Sequence, residues 1–304
     1  MGMMIEGNWR DIDRIHRGDD YVRNVSNCHQ DLAVGALARD PGRYTLICSW
    51  SCPWSHRVQI ALALSGLAKY VALHITGGPK TQGYSANWGQ PWQVPQCGES
   101  DAVIEHLHQL YKLHDAKYTG RCTVPLLWDS REERIVSNES TTLVGWLARD
   151  CAADSALASA EQSYRAGLEQ ARPLERDIYH QLNNGVYRAG FAKGQAAHDS
   201  AVEDVFTMLD TLEQRLQTQR FLLGEQISTL DWMLFPTLIR FDLEYFFSFG
   251  CRLKRLCDYP RLWAYTQQLY AQPAIAQTFN PQEVLASCHR GAAYLPNPPP
   301  WVFK

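Results

Sequence analysis

The sequence predicts a small α/β domain followed by a larger domain made only of helices. Two β-type runs flank a helical run within residues 44–75, and this order favours a parallel β-α-β unit with a right-handed crossover. A second pair of β-type runs within residues 123–136 predicts a hairpin. From about residue 155 onward, apolar residues recur at helical spacing and few β signals are left.

The composition is that of a globular protein with a substantial core. The chain has 304 residues, of which 45% are hydrophobic and 20% are charged, so it can form two modest domains. The net charge of −3 gives no reason to expect a nucleic acid or an anionic membrane as the main partner. The polar N-terminal stretch lacks the apolar segment of a secretory signal, and no apolar run approaches the ~20 residues of a membrane span. We therefore expect a soluble, cytoplasmic protein.

The nine cysteines are odd in number and scattered in spacing. In a chain of this size without a secretory signal, that pattern favours free thiols over a disulfide framework. No Cys-x-x-Cys pair occurs, and the closest pair, Cys48 and Cys52, is separated by three residues. Structural zinc sites usually show two closely spaced ligand pairs, so we predict no metal site.

The first half of the predicted α/β domain follows a polar segment. Residues 1–42 predict an irregular arm that ends in a proline and a glycine. Residues 44–48 predict a strand and residues 54–64 a helix, which Gly66 ends as the C′ residue. Residues 70–75 predict the second strand.

The second half of that domain begins with a long loop at residues 76–104, rich in Gly, Pro, Gln and Asn. A short helix is predicted at residues 103–112. The hairpin strands are predicted at residues 123–128 and 134–136. A helix then starts with Asn138, a residue well suited to the N-cap.

The C-terminal half predicts helices. Residues 201–217 carry a clear apolar stripe, and Ser228 with Asp231 has the form of a capping box. The apolar run at residues 232–239 predicts a helix buried on all sides. The proline-rich residues 295–301 predict an extended tail. The predicted domains are an N-terminal arm at 1–42, an α/β domain at 43–150, a helical domain at 155–278 and a tail at 279–304.

Cys52 is the strongest candidate for chemistry. It lies directly before a predicted helix, where unpaired N–H groups and the positive end of the helix dipole favour the thiolate over the thiol. Pro53 suits the first helical position because no N–H is lost there. The alternative is a cysteine that only packs beneath the helix.

Two further pairs of residues predict a binding site for a peptide-like ligand. Proline at position 125 leaves Val124 extended, and a cis bond would turn the Val124 backbone outward to pair with an extended ligand. Glu139 and Ser140 stand at a helix start, which suits a ligand that carries both a carboxylate and an ammonium group. Taken singly, an ordinary strand-opening proline and a solvated acid in the first helical turn are equally simple explanations. Cys52, the Val124-Pro125 pair and the Glu139-Ser140 pair together are more specific than any one of them alone.

These residues resemble the thioredoxin-like half of glutathione transferases, and more closely the glutathionyl-hydroquinone reductases, also called the Xi class. The resemblance covers about residues 40–280. It rests on matching stretches at residues 51–57, 118–129, 135–140, 183–191, 229–232, 240–242 and 258–260. The resemblance implies a glutathione-transferase fold, with a thioredoxin-like N-terminal domain and an all-α C-terminal domain. It also implies glutathione as co-substrate, a small aromatic conjugate as substrate, and a homodimer.

The resemblance also implies roles for individual residues. The Cys52 thiolate attacks the sulfur of a glutathionylated substrate, and a second glutathione resolves the mixed disulfide. The backbone of Val124, which precedes Pro125, pairs with the cysteinyl part of glutathione, and Glu139 with Ser140 holds the γ-glutamyl end. The other residues that the resemblance assigns to glutathione binding are Trp54, Trp88 and Arg121. Tyr187 matches a tyrosine near the aromatic substrate, where it would hydrogen-bond a phenolic oxygen or supply a proton; the alternative is a buried core tyrosine.

The sequence departs from the family pattern in three places. Ser55 replaces the usual alanine, residues 76–100 lack the usual glycine-tryptophan pattern, and residues 286–291 lack the usual histidine followed by paired tyrosines. The last change leaves the substrate open. The alternatives are another glutathione-dependent reaction, such as thiol-disulfide exchange on a changed substrate, and a non-catalytic interaction module.

Overall fold

The structure, a computed structural model, describes residues 2–12, 16–23, 25–78, 81–88, 92 and 104–288. The chain forms two compact units. The α/β unit comprises Met1–Arg14 and Asn24–Ser155, and the helical unit comprises Ile15–Arg23 and Ala156–Lys304. The predicted tail at residues 295–301 lies outside the described residues.

The first half of the chain contains eight strands and four α-helices among its described residues. These are β1 (Met3–Ile5), β2 (Asn8–Arg10), β3 (His16–Arg17), β4 (Asp20–Tyr21), α1 (Ala36–Arg39), β5 (Tyr44–Ser49), α2 (Pro53–Ser65), β6 (Ala72–Thr76), α3 (Leu107–His114), β7 (Leu126–Asp129), β8 (Arg134–Ser137) and α4 (Ser140–Asp150). The short pair β3 and β4 belongs to the helical unit, and the other elements belong to the α/β unit.

The α/β unit is built on a four-stranded sheet with the strand order β6-β5-β7-β8. β5 is parallel to β6, with Cys48 opposite Ile75, which confirms the predicted β-α-β pairing. β7 is antiparallel to both β5 and β8, which confirms the predicted hairpin. Since β5 and β8 are each antiparallel to β7, they run in the same direction. Their C-terminal ends therefore lie at the same edge of the sheet as the N-terminal end of β7.

Helix α2 connects β5 to β6 and begins as the sequence predicts. Pro53 occupies its first turn, and Gly66 ends it in the left-handed conformation at a φ of 75°. Twelve of its thirteen residues are buried, because the helix is covered by α4 as well as by β5. This enclosure holds Cys52, the N-cap residue, in a fixed position at the end of β5.

The prediction of an irregular arm at residues 1–42 was wrong. β1 and β2 form a hairpin that is joined to the α/β unit by a bridge between Met4 and Gly120. Further along the arm, the N–H of Gln30 donates to the Val136 carbonyl at 2.9 Å. The hairpin strands have only three residues each, which is too short for an alternating pattern to show in the sequence. The contacts of Met4 with Gly120 and of Gln30 with Val136 join parts of the chain that are distant in sequence.

The helical unit contains nine α-helices, two π-helical segments and one 3₁₀ turn among the described residues. They are α5 (Ala156–Ala166), α6 (Leu168–Asp177), a π segment (Ile178–Asn183), α7 (Gly185–Phe191), α8 (Gln195–Arg215), α9 (Thr229–Arg240), a second π segment (Phe241–Tyr245), α10 (Phe246–Ser248), the 3₁₀ turn (Leu256–Asp258), α11 (Pro260–Tyr270), α12 (Pro273–Ala276) and α13 (Pro281–Cys288).

The core of the helical unit is formed around α9. Every residue of this helix is buried, and its capping box of Ser228 and Asp231 is present, so both predictions for this segment are confirmed. Helix α8 is longer at its start than the predicted 201–217 segment. In the described part of the chain, no helix is both long and apolar enough to cross a membrane.

Candidate active site

Cys52 is the N-cap residue of α2. Its Sγ accepts a hydrogen bond from the backbone N–H of Ser55 at 3.4 Å, within the first turn of the helix. The thiol donates to the Val124 carbonyl at 3.5 Å. Cys52 is largely buried, with 7% of its surface exposed. Such a thiol loses its only donated hydrogen bond on ionisation, while the N–H of Ser55 still stabilises the thiolate.

Val124 precedes β7, the strand that is antiparallel to β5, and it contacts the Cys52 sulfur. It lies two residues before β7, and the peptide bond between Val124 and Pro125 is cis. The Val124 carbonyl is aimed at the Cys52 sulfur. A ligand that reacts at this sulfur therefore meets a backbone carbonyl beside it, which can accept from a peptide N–H.

Glu139 is the N-cap residue of α4, and this corrects the prediction that Asn138 caps the helix. The Asn138 side chain instead accepts from the N–H of Cys28 and donates to the Tyr111 hydroxyl. One oxygen of Glu139 accepts from the N–H of Thr141 at 3.3 Å and from the Ser140 hydroxyl at 3.4 Å. A helix N-terminus with an acid and a hydroxyl is thus available to a ligand that carries an ammonium and a carboxylate.

The sheet brings these three features to one edge. Cys52 follows the C-terminal end of β5, Glu139 follows the C-terminal end of β8, and Val124 precedes the N-terminal end of β7. Helix α2, which carries Cys52, also packs against α4, which Glu139 caps. The order of elements in the sequence therefore places the Cys52 thiol, the Val124 backbone and the acidic start of α4 at the same edge of the sheet.

Two residues that the family resemblance assigns to glutathione binding, Trp54 and Arg121, lie in different settings. Trp54, in the first turn of α2, is buried, and the Arg57 guanidinium lies 4.4 Å from its ring centroid. Arg121 is half-buried in the loop before Val124, and its carbonyl accepts from the Tyr118 hydroxyl at 3.0 Å. Their assignment to glutathione binding stays a prediction.

Trp88 lies in the segment that follows β6. Its indole covers Gly77 and Gly78 so closely that a Cβ added at Gly77 would collide with the ring. The residue is nevertheless 40% exposed. Its assignment to the site also stays a prediction.

Tyr187 belongs to the helical unit. It lies on α7 and is half-buried within a cluster of aromatic rings. Ring centroids near Tyr187 include those of Phe249 at 5.5 Å, Phe191 at 6.0 Å, Tyr21 at 6.3 Å and Tyr245 at 6.3 Å. Such a cluster provides flat apolar surface for an aromatic ligand, and it equally provides the core packing that the alternative interpretation requires.

Among the other cysteines in the described part of the chain, Cys28, Cys48, Cys122 and Cys251 have buried or half-buried thiols. Burial raises the pKa of the Cys28 thiol to about 12, and it also raises the pKa of Cys48, Cys122 and Cys251. These thiols stay protonated at neutral pH and are poor nucleophiles. Seven cysteines are free: Cys28, Cys48, Cys52, Cys122, Cys151, Cys251 and Cys257. The described residues contain no group of three or more His, Cys, Asp or Glu side chains placed to hold a metal.

One contact of this site has no signal in the sequence. Ser26, in the N-terminal arm, donates from its hydroxyl to Glu139 at 2.9 Å. No motif or periodicity marks this serine, because the contact joins residues 113 positions apart. The C-terminal departure from the family pattern, residues 286–291, lies partly outside the described residues, which end at 288.

Comparison with known protein families gives two matches. Residues 51–150 match the N-terminal domain of glutathione S-transferases, and residues 195–268 match the C-terminal domain of the same proteins. The chain is 36% identical over 285 residues to the glutathionyl-hydroquinone reductase PcpF of Sphingobium chlorophenolicum, covering 92% of this chain and 88% of that protein. It is 35% identical over 293 residues to the glutathionyl-hydroquinone reductase YqjG of Escherichia coli, with the same coverage.

Solved structures give the same result. The glutathione-bound structure of YqjG superposes with a TM-score of 0.78 and 31% identity, covering 96% of this chain and 91% of that chain. The Xi-class glutathione transferase of Phanerochaete chrysosporium superposes with a TM-score of 0.81 and 28% identity, covering 95% of this chain and 96% of that one. The predicted glutathione-transferase fold is therefore confirmed.

Proposed function

Because this chain belongs to the glutathionyl-hydroquinone reductases, the Xi class of glutathione transferases, we propose that Cys52 removes the glutathionyl group from aromatic glutathione thioethers. The products are the reduced aromatic compound and, after a second glutathione has reacted, glutathione disulfide. Glutathione is the co-substrate, and no metal takes part.

The reaction proceeds in two displacements. The Cys52 thiolate attacks the glutathione sulfur, a sulfur-sulfur bond forms, and the bond between that sulfur and the aromatic carbon breaks. The carbon leaves with the electron pair and takes up a proton, so the aromatic compound is reduced while the two sulfurs are oxidised to a disulfide. A second glutathione thiolate then attacks the mixed disulfide, releases glutathione disulfide and returns Cys52 as a thiolate.

The residues around Cys52 bind and orient glutathione in this proposal. The backbone of Val124 pairs with the cysteinyl residue and thereby holds the reacting sulfur beside Cys52. The Glu139 carboxylate holds the γ-glutamyl ammonium group, and Ser140 with the N-terminus of α4 holds its carboxylate. Trp54, Trp88 and Arg121 complete the glutathione site as further lining residues.

In the helical unit, Tyr187 receives the aromatic part of the substrate. Its hydroxyl hydrogen-bonds a phenolic oxygen or supplies the proton that the aromatic carbon takes up. The aromatic rings around it, including Tyr21 and Phe249, support this assignment because they offer a flat apolar surface.

The observation that carries the proposal is the position of Cys52 between two backbone groups. The N–H of Ser55 at 3.4 Å stabilises a thiolate, and the Val124 carbonyl at 3.5 Å marks where a glutathione backbone would pair. A serine or tyrosine in this place would stabilise the thiolate of glutathione itself and favour conjugation. A cysteine forms a disulfide with glutathione instead.

The test is the intact mass of the protein after incubation with glutathionyl-hydroquinone in the absence of free glutathione. The wild type is expected to gain one glutathionyl group and to release one equivalent of hydroquinone. Cys52→Ala is expected to gain none, and Cys257→Ala, which removes an exposed thiol, is expected to behave as the wild type. Labelling of the Cys52→Ala protein to the same extent as the wild type would contradict the assignment of Cys52.

A second candidate function is favoured by residues 286–291, which lack the family's paired tyrosines. In this case the protein reduces mixed disulfides of glutathione or acts on another conjugate. The same experiment separates the two, because the wild type would then take glutathione from glutathione disulfide and leave glutathionyl-hydroquinone intact. If neither compound labels the protein, the chain is a non-catalytic interaction module.

We also propose that the protein is a cytoplasmic homodimer with functional domains at residues 43–150 and 155–278. Seven free cysteines support a reducing compartment. The dimer is inferred from the family resemblance, and light scattering after size-exclusion chromatography measures it directly.

A further inference from the structure

The N-terminal arm forms an additional edge on the sheet next to β8. The N–H of Gln30 donates to the Val136 carbonyl at 2.9 Å, and His29 forms an antiparallel bridge with Ser137. The N–H of Cys28 donates to the Asn138 side chain at 3.2 Å. The arm and β8 are antiparallel, so a residue that comes before His29 in the arm lies opposite a residue that comes after Ser137. Ser26 therefore arrives at Glu139, just beyond the end of β8.

The Ser26 hydroxyl completes the set of donors around Glu139. It lies 2.9 Å from one carboxylate oxygen, and its other acceptor, the Asn138 carbonyl, lies farther away at 3.2 Å. The second carboxylate oxygen accepts from the N–H of Thr141 and from the Ser140 hydroxyl. Each oxygen of Glu139 is thus held by at least one donor, which fixes the side chain in one rotamer.

We propose that Ser26 is a positioning residue for glutathione, and that the N-terminal arm is thereby part of the glutathione site. The inference rests on the proposed role of Glu139 in holding the γ-glutamyl ammonium group. A glutamate free to rotate loses side-chain entropy when it binds an ammonium ion, and a glutamate already held by Ser26 does not. A carboxylate has about four lone-pair positions, so the ammonium group binds in addition to these donors.

The test measures the dissociation constants of glutathione and of its analogue without the γ-glutamyl amino group. For Ser26→Ala we expect roughly a three- to tenfold rise in the dissociation constant of glutathione and little change for the analogue. Ser26→Thr keeps the hydroxyl and is expected to restore wild-type affinity. Turnover at saturating glutathione is expected to stay unchanged, so that the effect appears in KM and not in kcat.

Asn27→Ala is the matched control. Asn27 is the next residue of the arm and accepts from the Tyr118 hydroxyl at 2.7 Å, so its loss loosens the arm without touching Glu139. Wild-type glutathione affinity is expected for this variant. An equal loss of affinity in Asn27→Ala and Ser26→Ala, or an equal loss for glutathione and the analogue, would overturn the inference, because either result means that the arm acts only through general stability.

Glu139→Gln separates the inference from the proposed function. If this variant loses affinity for glutathione and Ser26→Ala does not, the role of Glu139 stands and the role of Ser26 is wrong. If Ser26→Ala weakens binding by the same factor in the wild type and in Glu139→Gln, Ser26 does not act through Glu139, and the inference is wrong. Failure of the wild type to bind glutathione would overturn the proposed function itself.

Discussion

The starts of α9 and α4 each carry an acidic side chain, and the protein uses the two acids differently. At the start of α9, the Asp231 carboxylate is fully buried and accepts four hydrogen bonds, each of 2.7 to 2.9 Å. The donors are the N–H groups of Leu222 and Ser228, the Ser228 hydroxyl and the Tyr265 hydroxyl. Every lone-pair position of Asp231 is filled by the protein, so this acid fastens α9 to its neighbours.

At the start of α4, Glu139 is only half-buried, and its hydrogen bonds range from 2.9 to 3.4 Å. At the start of α2, the Cys52 sulfur accepts a hydrogen bond from the Ser55 N–H and donates one to the Val124 carbonyl. Side chains at these two starts retain capacity for a ligand. A capping signal in a sequence therefore predicts a helix start, and the completeness of the donors around the cap distinguishes a structural acid from one that is available for binding.

We call the starts of α2 and α4 open, because their side chains can still bind a ligand, and the start of α9 closed. The strongest test of the open start of α2 is the removal of the Cys52 sulfur. Cys52→Ala is expected to lower turnover of glutathionyl-hydroquinone by at least about 10³-fold, because no other described thiol occupies this position. The free energy of unfolding, measured by urea titration, is expected to change by less than about 1 kcal/mol. A large loss of stability would mean that Cys52 is a structural cap of the same kind as Asp231.

The reverse result is expected at the closed helix start. Asp231→Ala leaves the N–H groups of Leu222 and Ser228 and the Tyr265 hydroxyl without their acceptor in the core. We expect the free energy of unfolding to fall by about 3 kcal/mol, while the glutathione dissociation constant of the folded protein changes less than twofold.

Glu169→Ala is the matched control for Asp231→Ala. Glu169 also lies in the first turn of a helix, α6, and its side chain is exposed. Urea titration is expected to give a change within about 0.5 kcal/mol. If Asp231→Ala destabilises the protein no more than Glu169→Ala does, the distinction between closed and open helix starts is wrong.

Local patterns in the sequence were sufficient for the elements that carry the site. The β5-α2-β6 unit follows from apolar periodicity, from proline at the start of α2 and from Gly66 at its end. Its least accurate boundary is the start of β6, at residue 72 instead of 70. There the N–H groups of Tyr70 and Val71 both donate to the Leu67 carbonyl, so the turn after α2 uses residues whose composition is typical of a strand.

Contacts between distant parts of the chain were not predictable. Asn138 is a residue type that often caps helices, yet its side-chain amide binds Cys28 and Tyr111 instead. The N-cap is the next residue, Glu139. The site shows the same division. The helix-start chemistry of Cys52 follows from its immediate neighbours, whereas its contact with Val124 spans 72 positions and the contact of Ser26 with Glu139 spans 113. Local sequence specifies helix starts, and only tertiary packing decides which of them stay open.

A third acid extends the comparison to the far end of the sheet. Asp129 ends β7, and the Arg43 guanidinium donates to both of its oxygens at 2.9 and 2.7 Å. Burial alone would raise the pKa of Asp129. The hydrogen bonds and charge of Arg43, together with the backbone N–H groups of Arg131 and Glu132, outweigh burial and lower this pKa. The stabilisation is therefore present above the unfolded aspartate pKa of about 3.9 and is lost as the pH falls through the lower folded pKa.

Asp129→Asn tests this closed acid by its pH dependence. At pH 7 the variant is expected to be less stable than the wild type by about 2 kcal/mol in urea titrations. The difference is expected to shrink as the pH falls below about 4 and through the lower folded pKa of Asp129, where the wild-type carboxyl becomes protonated. A difference that stays constant from pH 7 to about pH 2 would show that the charge of Asp129 does not contribute. Glutathione affinity at pH 7 is expected to be unchanged, because β7 separates Asp129 from Val124.

The smallest effect is expected at the start of α4, where the hydroxyl of Ser140 can be removed. Ser140→Ala removes a hydroxyl that we assign to the γ-glutamyl carboxylate, and the glutathione dissociation constant is expected to rise roughly three- to tenfold in calorimetric titrations. The free energy of unfolding is expected to change by less than about 1 kcal/mol, because the helix cap is the Glu139 side chain. Thr141→Ala is the control: its side chain is exposed at the same helix start, and its backbone N–H still donates to Glu139. Equal affinities for these two variants would mean that the helix N-terminus alone binds the carboxylate. A loss of stability in Ser140→Ala without a loss of affinity would place α4 with α9, as a helix start that serves only the fold.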